Sequence, residues 1–247
     1  MEAPTALNAS RGPIPCDGAA SRSLELLGFV AALLAINAPL FMGGSTDKFA
    51  FLPAAVADGE WWRVITHLFA HVTWYHLLLD GAAFLLLYWR LDLGSSRRRL
   101  GACAATAFGS LTAAVIASPV VAEIGLRGLS GVAHGLMAIT ALTMIRESSE
   151  PSSRRIGWCC LAAVVGKSLL EALTGNAALP LLHFGLMGTP IAVCHFGGVL
   201  GALLFWSGSE AVQARLVVRQ AGARAGCNRG SSARVARGNF GGASNHP

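Results

Sequence analysis

Six stretches of this chain are apolar over lengths close to what a helix needs to cross a lipid bilayer, and that pattern constrains the fold more than any other feature. A hydrocarbon core of about 30 Å takes roughly 20 mostly apolar residues in a helix, and within it every backbone N–H and C=O has to be satisfied by the protein itself. The stretches run from Leu24 to Met42, Trp74 to Leu91, Leu100 to Ala117, Leu129 to Ile145, Ile156 to Leu173 and Leu186 to Trp206. They predict an all-α, polytopic membrane protein, a bundle of six transmembrane helices. Composition agrees: 53% of the 247 residues are hydrophobic and 13% are charged. The mean hydropathy of +0.54 lies well above that of ordinary soluble domains. The first stretch is long enough to remain as a span, so no cleaved leader is expected. Residues 1–22 and 208–247 are rich in Gly, Ala, Ser, Asn and Arg. They read as disordered cytoplasmic tails on a membrane body over 23–207, the second of them basic.

Cationic side chains set the orientation. Arg11 and Arg22 precede the first span, Arg90, Arg97, Arg98 and Arg99 follow the second, and Arg146, Arg154 and Arg155 follow the fourth. Between spans on the other side stand Lys48, Arg63 and Arg127. Positive charge gathers on the cytoplasmic side of short loops, so both termini are expected there and the loop from Gly43 to Thr73 is expected to face outward. The net charge of +6 therefore belongs to a membrane surface, and nucleic acid is not an expected partner. Contact of the basic tail with anionic lipid is the alternative to a solvated tail. Cys16, Cys103, Cys159, Cys160, Cys194 and Cys227 form no C-x-x-C pair or regular framework.

Polar groups inside spans are costly and mark function or internal pairing. Here Ser130 opens the fourth span, His195 lies about two turns into the sixth, and His76 and Asp80 sit near the start of the second. With the expected orientation all four share the outer third of the membrane. Gly128-Leu129-Ser130-Gly131 places a serine between glycines where a loop enters a helix, whose first N–H groups have no partner and can hold an oxyanion. An ordinary N-cap on a small-residue packing surface has the same composition. His195 and Gly198 lie on one helical face, and Gly131 and Gly135 offer a matching face on the fourth span. Such a seam allows Ser130 and His195 to approach, and a serine hydroxyl needs a base to become a nucleophile.

No acid stands out as a partner for His195, since Glu123 falls in a loop and Glu171 on another span, so a Ser-His dyad is the economical expectation. His76 and Asp80 lie one helical turn apart. His76 is expected to support the oxyanion together with the Ser130 amide, and Asp80 to orient His76. His134, one turn after Ser130, is either a substrate-site group or a packing residue. Lys167 and Glu171 are spaced to pair, either lining the site or fixing the fifth span. The apolar loop from Thr174 to Gly188, with Pro180 and His183, is a candidate movable cap. A metal-dependent enzyme or transporter is a competing class, because His67 and His71 have ligand spacing with His76 and His134 as possible neighbours, but no H-E-x-x-H motif supports it.

Gly128-Leu129-Ser130-Gly131 resembles the G-x-S-G nucleophile motif of the rhomboid family of intramembrane serine proteases. His195-Phe196-Gly197-Gly198 resembles that family's His-x-x-Gly on the sixth span, and Gly59-Glu60-Trp61-Trp62-Arg63, followed by Thr66, Phe69 and His71, resembles its first outer loop. The three motifs stand in the family's order across roughly residues 24 to 206. The resemblance implies a serine endopeptidase without a cofactor, with Ser130 and His195 catalytic, acting on membrane-anchored protein substrates. Gly128, Gly131 and His134 would then line the substrate site. Where the family usually carries His-x-x-x-Asn, this chain has His76-x-x-x-Asp80, and an ionised Asp cannot donate to an oxyanion. Either Asp80 is protonated or its role has moved to His76, and the second is preferred. The compact body and the run Ser130-Gly131-Val132-Ala133-His134-Gly135 most resemble the rhombosortase branch. Its proposed substrates carry a Gly-Gly-containing carboxy-terminal anchor in Gram-negative envelopes, which implies a bacterial inner membrane and a site open to the periplasm. The alternative function is an inactive rhomboid-like protein that binds membrane clients.

Overall fold

The computed structural model describes residues 17–178, 184, 186 and 188–212. The chain divides into two units, Met1–Leu204 and Phe205–Pro247. In the first, α1 (Asp17–Phe41) leads into a loop containing a 3-10 turn (Asp47–Phe49), α2 (Pro53–Ala57) and α3 (Arg63–Thr66). There follow α4 (Trp74–Arg90), α5 (Ser96–Ala117), the short α6 (Val121–Ile124), α7 (Ser130–Glu147) and α8 (Pro151–Thr174). Helical backbone resumes over 193–204, here α9. Residues 205–212, in the second unit, are also helical. Among the described residues the fold is all-helical, with one isolated β-bridge between Phe51 and Leu126.

Five of the six apolar stretches fall almost wholly on helix and the sixth does so from residue 193, and the local sequence explains the ends. Thr73 caps α4 by accepting from the His76 N–H at 3.1 Å. Pro151 opens α8 and Gly175 closes it with a left-handed φ of 69°. Among the described residues three helices are long and apolar enough to cross a membrane: Ala20–Phe41, Ser96–Ala117 and Pro151–Thr174. Only 11%, 22% and 22% of their apolar windows are buried within the protein. α4 is shorter, at 17 residues, and α7 ends in Arg146 and Glu147.

Two boundaries correct the reading of the sequence. Residues 17–22, assigned to a tail by composition, form the first turns of α1, where the Arg22 guanidinium donates to the Trp89 carbonyl at 3.0 Å. The sixth helix starts at 193 rather than 186, after Gly188 and Pro190, so His195 lies in its first turn instead of its second. Residues 1–16 and 213–247 lie outside the described residues, as do Pro180 and His183 of the proposed cap.

α7 is the central helix, packing against α4, α5 and α8 and burying Gly131, Val132, Gly135, Leu136, Ala138 and Ile139. The small-residue seam expected between the fourth and sixth spans is present, and α5 joins it. An added Cβ at Gly131 would lie 2.8 Å from the Cys194 carbonyl, and one at Gly135 would lie 2.6 Å from that of Gly198. Gly197 and Gly109 block each other's Cβ positions, so α9 lies backbone-to-backbone on α5 as well.

The outer loop is a hydrogen-bonded scaffold. Buried Arg63 donates to the carbonyls of Asp47 at 2.7 Å and Ala50 at 2.8 Å, and its Nε meets Glu60 at 2.5 Å. Asn37 of α1 accepts from the His71 N–H at 3.0 Å and donates to the Phe69 carbonyl at 2.6 Å. Paired 2.9 Å bonds between Phe51 and Leu126, and a further 2.9 Å bond from the Gly128 N–H to the His67 carbonyl, staple this loop to the turn that delivers Ser130. Backbone polar groups that water cannot reach are thereby satisfied.

Candidate active site

The first turns of α4, α7 and α9 and the last turns of α8 meet at one cavity of about 480 Å³. His76, Asp80, Ser130, His134 and His195 all line it, together with Lys167 and Glu171. Residues expected at one depth from sequence therefore surround one space, to which α8 adds two charges.

The turn into α7 is built on glycine. Gly128 has a φ of +106°, and a Cβ there would stand 2.8 Å from Asp80 Oδ2 and 3.1 Å from His76 Nε2. Both the backbone conformation and the crowding exclude a side chain. This brings the His76 ring over the backbone two residues before Ser130. Ser130 opens α7, so its amide belongs to the helix turn whose N–H groups lack intrahelical partners. Its hydroxyl contacts Cys194 Sγ at 3.9 Å, and among the described residues no hydrogen bond joins it to His195.

α8 supplies His195 with an acid that the sequence does not single out: the His195 Nδ1 lies 2.8 Å from Glu171 Oε2. Glu171 is 1% exposed and also accepts from Lys167 Nζ at 2.7 Å and from the Ala178 N–H at 2.9 Å. A carboxylate receiving an ammonium and a backbone N–H can only accept from the ring, so Nδ1 carries a proton, and in the neutral ring Nε2 is the basic nitrogen. The His134 ring stacks on that of His195 with centroids 4.1 Å apart and planes at 11°. His134 Nδ1 donates to the Ser130 carbonyl at 2.7 Å, and its Nε2 faces Lys167 Nζ at 2.9 Å.

The opposite wall is His76 with Asp80. The Val72 N–H points at His76 Nδ1 at 3.4 Å, which makes Nδ1 an acceptor and leaves the proton on Nε2. That Nε2 is 3.0 Å from Asp80 Oδ2, a close approach off the line of a hydrogen bond. The expected link between the two side chains is thus a contact without a hydrogen bond, and the Nε2–H keeps its capacity to donate elsewhere. His71 adds an unforeseen third member: its Nδ1 donates to the Phe69 carbonyl at 2.9 Å and its Nε2 faces Asp80 Oδ2 at 3.8 Å. Burial pushes the loop histidines His67 and His71 down to about 4, so both are neutral at pH 7.

Among the described residues His67 and His71 belong to no group of converging metal-ligand atoms; each directs Nδ1 to a backbone carbonyl, that of Arg63 at 3.0 Å and that of Phe69 at 2.9 Å. The donor atoms of His134, Glu171 and His195 do lie within 4.8 Å of one another. The Lys167 ammonium already supplies the positive charge there, to His134 and Glu171 alike. Neither Glu171 nor Cys194 was legible as a neighbour of the Ser-His pair. The available signal was the spacing of Lys167 and Glu171, which reads as a pair that either lines the site or fixes the fifth span without saying what else Glu171 touches.

Neither the curated proteins nor the solved structures contain a match to this chain. A family model for the rhomboid domain matches residues 58–210, more than half of the chain, and its span takes in the later part of the outer loop, the Ser130 turn and His195. With membrane-length helices around a buried polar site, this is a membrane protein, and the chain belongs to the rhomboid family.

Proposed function

We propose that this protein is an intramembrane serine endopeptidase that cuts membrane-anchored proteins near the outer face of the bilayer. The observation that carries the reading is one cavity shared by a serine on the first turn of α7 and a histidine whose Nδ1 is engaged by Glu171, which makes Nε2 the nitrogen available as a base. His195 Nε2 takes the Ser130 proton as Oγ attacks the scissile carbonyl. The negative charge on that oxygen is met by the Ser130 N–H and by the His76 Nε2–H, which sits over Gly128. His195 then returns the proton to the leaving amine, and water repeats the sequence on the acyl-enzyme. Asp80 stands against His76, and His134 forms a wall against which an extended substrate strand lies, beside the Gly128 turn, whereas Gly131 packs into the helix seam.

The six helices span the bilayer with both termini cytoplasmic, so the cavity opens to the periplasmic side of a bacterial inner membrane. Substrates enter laterally from lipid, and a Gly-Gly-containing carboxy-terminal anchor, as in rhombosortase-type sorting, suits the narrow glycine-lined turn. Co-expression with such an anchored substrate tests the reading. The wild type releases the substrate and Ser130→Ala does not, and release undiminished in the variant would sink the proposal. The second reading is an inactive client-binding protein. It draws on the missing Ser130–His195 hydrogen bond, a contact that in unliganded enzymes is often long and tightens only around substrate. Labelling of Ser130 by a fluorophosphonate separates the two, because only a base-activated serine reacts.

A further inference from the structure

The dyad expected from sequence leaves His195 without an orienting partner, and α8 provides one. We infer that Glu171 is a positioning residue that fixes His195 in the Nδ1–H tautomer and stabilises the imidazolium formed when Ser130 is deprotonated, making the site a Ser130-His195-Glu171 relay with Lys167 as its counter-charge. The inference rests on the proposed serine-hydrolase reading.

Four observations carry it. Glu171 Oε2 stands 2.8 Å from His195 Nδ1, a charge-assisted distance. The carboxylate is 1% exposed and is further held by Lys167 at 2.7 Å and the Ala178 N–H at 2.9 Å, so it has little freedom to turn away. The other face of the His195 ring is closed by His134, stacked at 4.1 Å, which leaves one ring orientation. His134 is itself fixed between the Ser130 carbonyl and Lys167, so the base, its acid and the nucleophile's own backbone are connected through one chain of contacts. An Nδ1–H given to Glu171 obliges Nε2 to be the basic nitrogen, and Nε2 is the atom that a serine across the cavity requires. A structural ion pair alone needs only Lys167 with Glu171. The second oxygen, Oε2, is directed to His195 instead.

The proton balance closes without an added reactant. The proton leaving Ser130 Oγ moves to Nε2, the Nδ1 proton stays with His195, and Glu171 remains ionised throughout.

The test uses the full-length protein in detergent and a fluorophosphonate probe. The wild type labels at Ser130 and Ser130→Ala does not. Glu171→Gln lowers the maximal labelling rate by roughly 10²- to 10⁴-fold, the scale of loss when the acid of a serine triad is made an amide. Probe affinity stays within about twofold, as expected for a loss confined to the chemical step. Glu171→Asp recovers part of the rate, which a void-filling role would not require. Labelling of Glu171→Gln at the wild-type rate overturns the inference and leaves the hydrolase reading intact, whereas a wild type that never labels overturns the reading itself. If Glu171→Gln fails to fold, ¹⁵N spectra of His195 in the wild type, taken at a pH where the ring is neutral, decide: a proton on Nδ1 supports the inference and one on Nε2 overturns it.

Discussion

At Gly128 the backbone, the charge pair and the nucleophile meet in one residue. Its φ of +106° is open to glycine, and the Cβ of an alanine would press on Asp80 Oδ2 at 2.8 Å. A non-glycine residue in left-handed backbone gives up about 1–2 kcal/mol. Gly128→Ala is therefore expected to fold with lowered stability and to lose fluorophosphonate labelling more completely than stability, read by comparing labelling with thermal unfolding. Asp80 offers a second test at this scale. Because it approaches the His76 Nε2 at 3.0 Å without a hydrogen bond, shape can be kept while charge is removed. Asp80→Asn, which restores the side chain common in the family, should keep labelling within about tenfold of wild type, whereas His76→Ala should lower it by about 10²–10³-fold, the scale of a lost oxyanion donor. Equal losses in both would mean that His76 supports the oxyanion only with the Asp80 carboxylate beside it.

Among the elements, the glycine seam of α5, α7 and α9 does what no single side chain can, by letting three helix backbones approach until only hydrogen fits between them. A Cβ at Gly198 would collide with the Gly131 carbonyl, one residue beyond the nucleophile. Gly198→Val should part α9 from α7, separating His195 from Ser130 at a stability loss of about 1–3 kcal/mol typical of overpacking. Labelling that survives this substitution would show that the seam does not set the distance between base and nucleophile. At the other end, α1, α4 and α5 are tied by Glu25. It receives Arg99 twice, at 2.8 Å each, and the Tyr88 hydroxyl at 2.5 Å. Arg99 is 1% exposed, so Glu25→Ala strands a buried charge and should cost about 3–5 kcal/mol, with the paired change Glu25→Leu and Arg99→Met recovering most of it. Detergent thermal melts of the single and double variants check this.

For the whole molecule, the two polar clusters lie at opposite ends of the same helices. The first turns of α4, α7 and α9 hold the cavity, while the last turn of α4 and the first turns of α1 and α5 hold the Glu25 network with its surrounding arginines. That separation suits a bundle whose basic end faces the cytoplasm. Reporters that work only in the cytoplasm, fused to either terminus, should both be active, and an inactive one at either end would reverse the proposed orientation. Hydropathy made the helices legible, because a lipid-facing segment must be apolar along its length whatever its neighbours are. Glycine spacing made the seam between α7 and α9 legible, because close helix approach leaves no other choice of residue. Ser130, His195, His76 and Asp80 could be assigned to one depth from the order of spans alone. What the sequence left open was which groups touch. Glu171 reads as the partner of Lys167 four residues earlier, and nothing local says that its second oxygen reaches α9. Cys194 reads as one more apolar residue, and His71 as part of a loop. Such contacts join helices far apart in the chain, and only the way α8 and the outer loop fold back onto α4, α7 and α9 decides them.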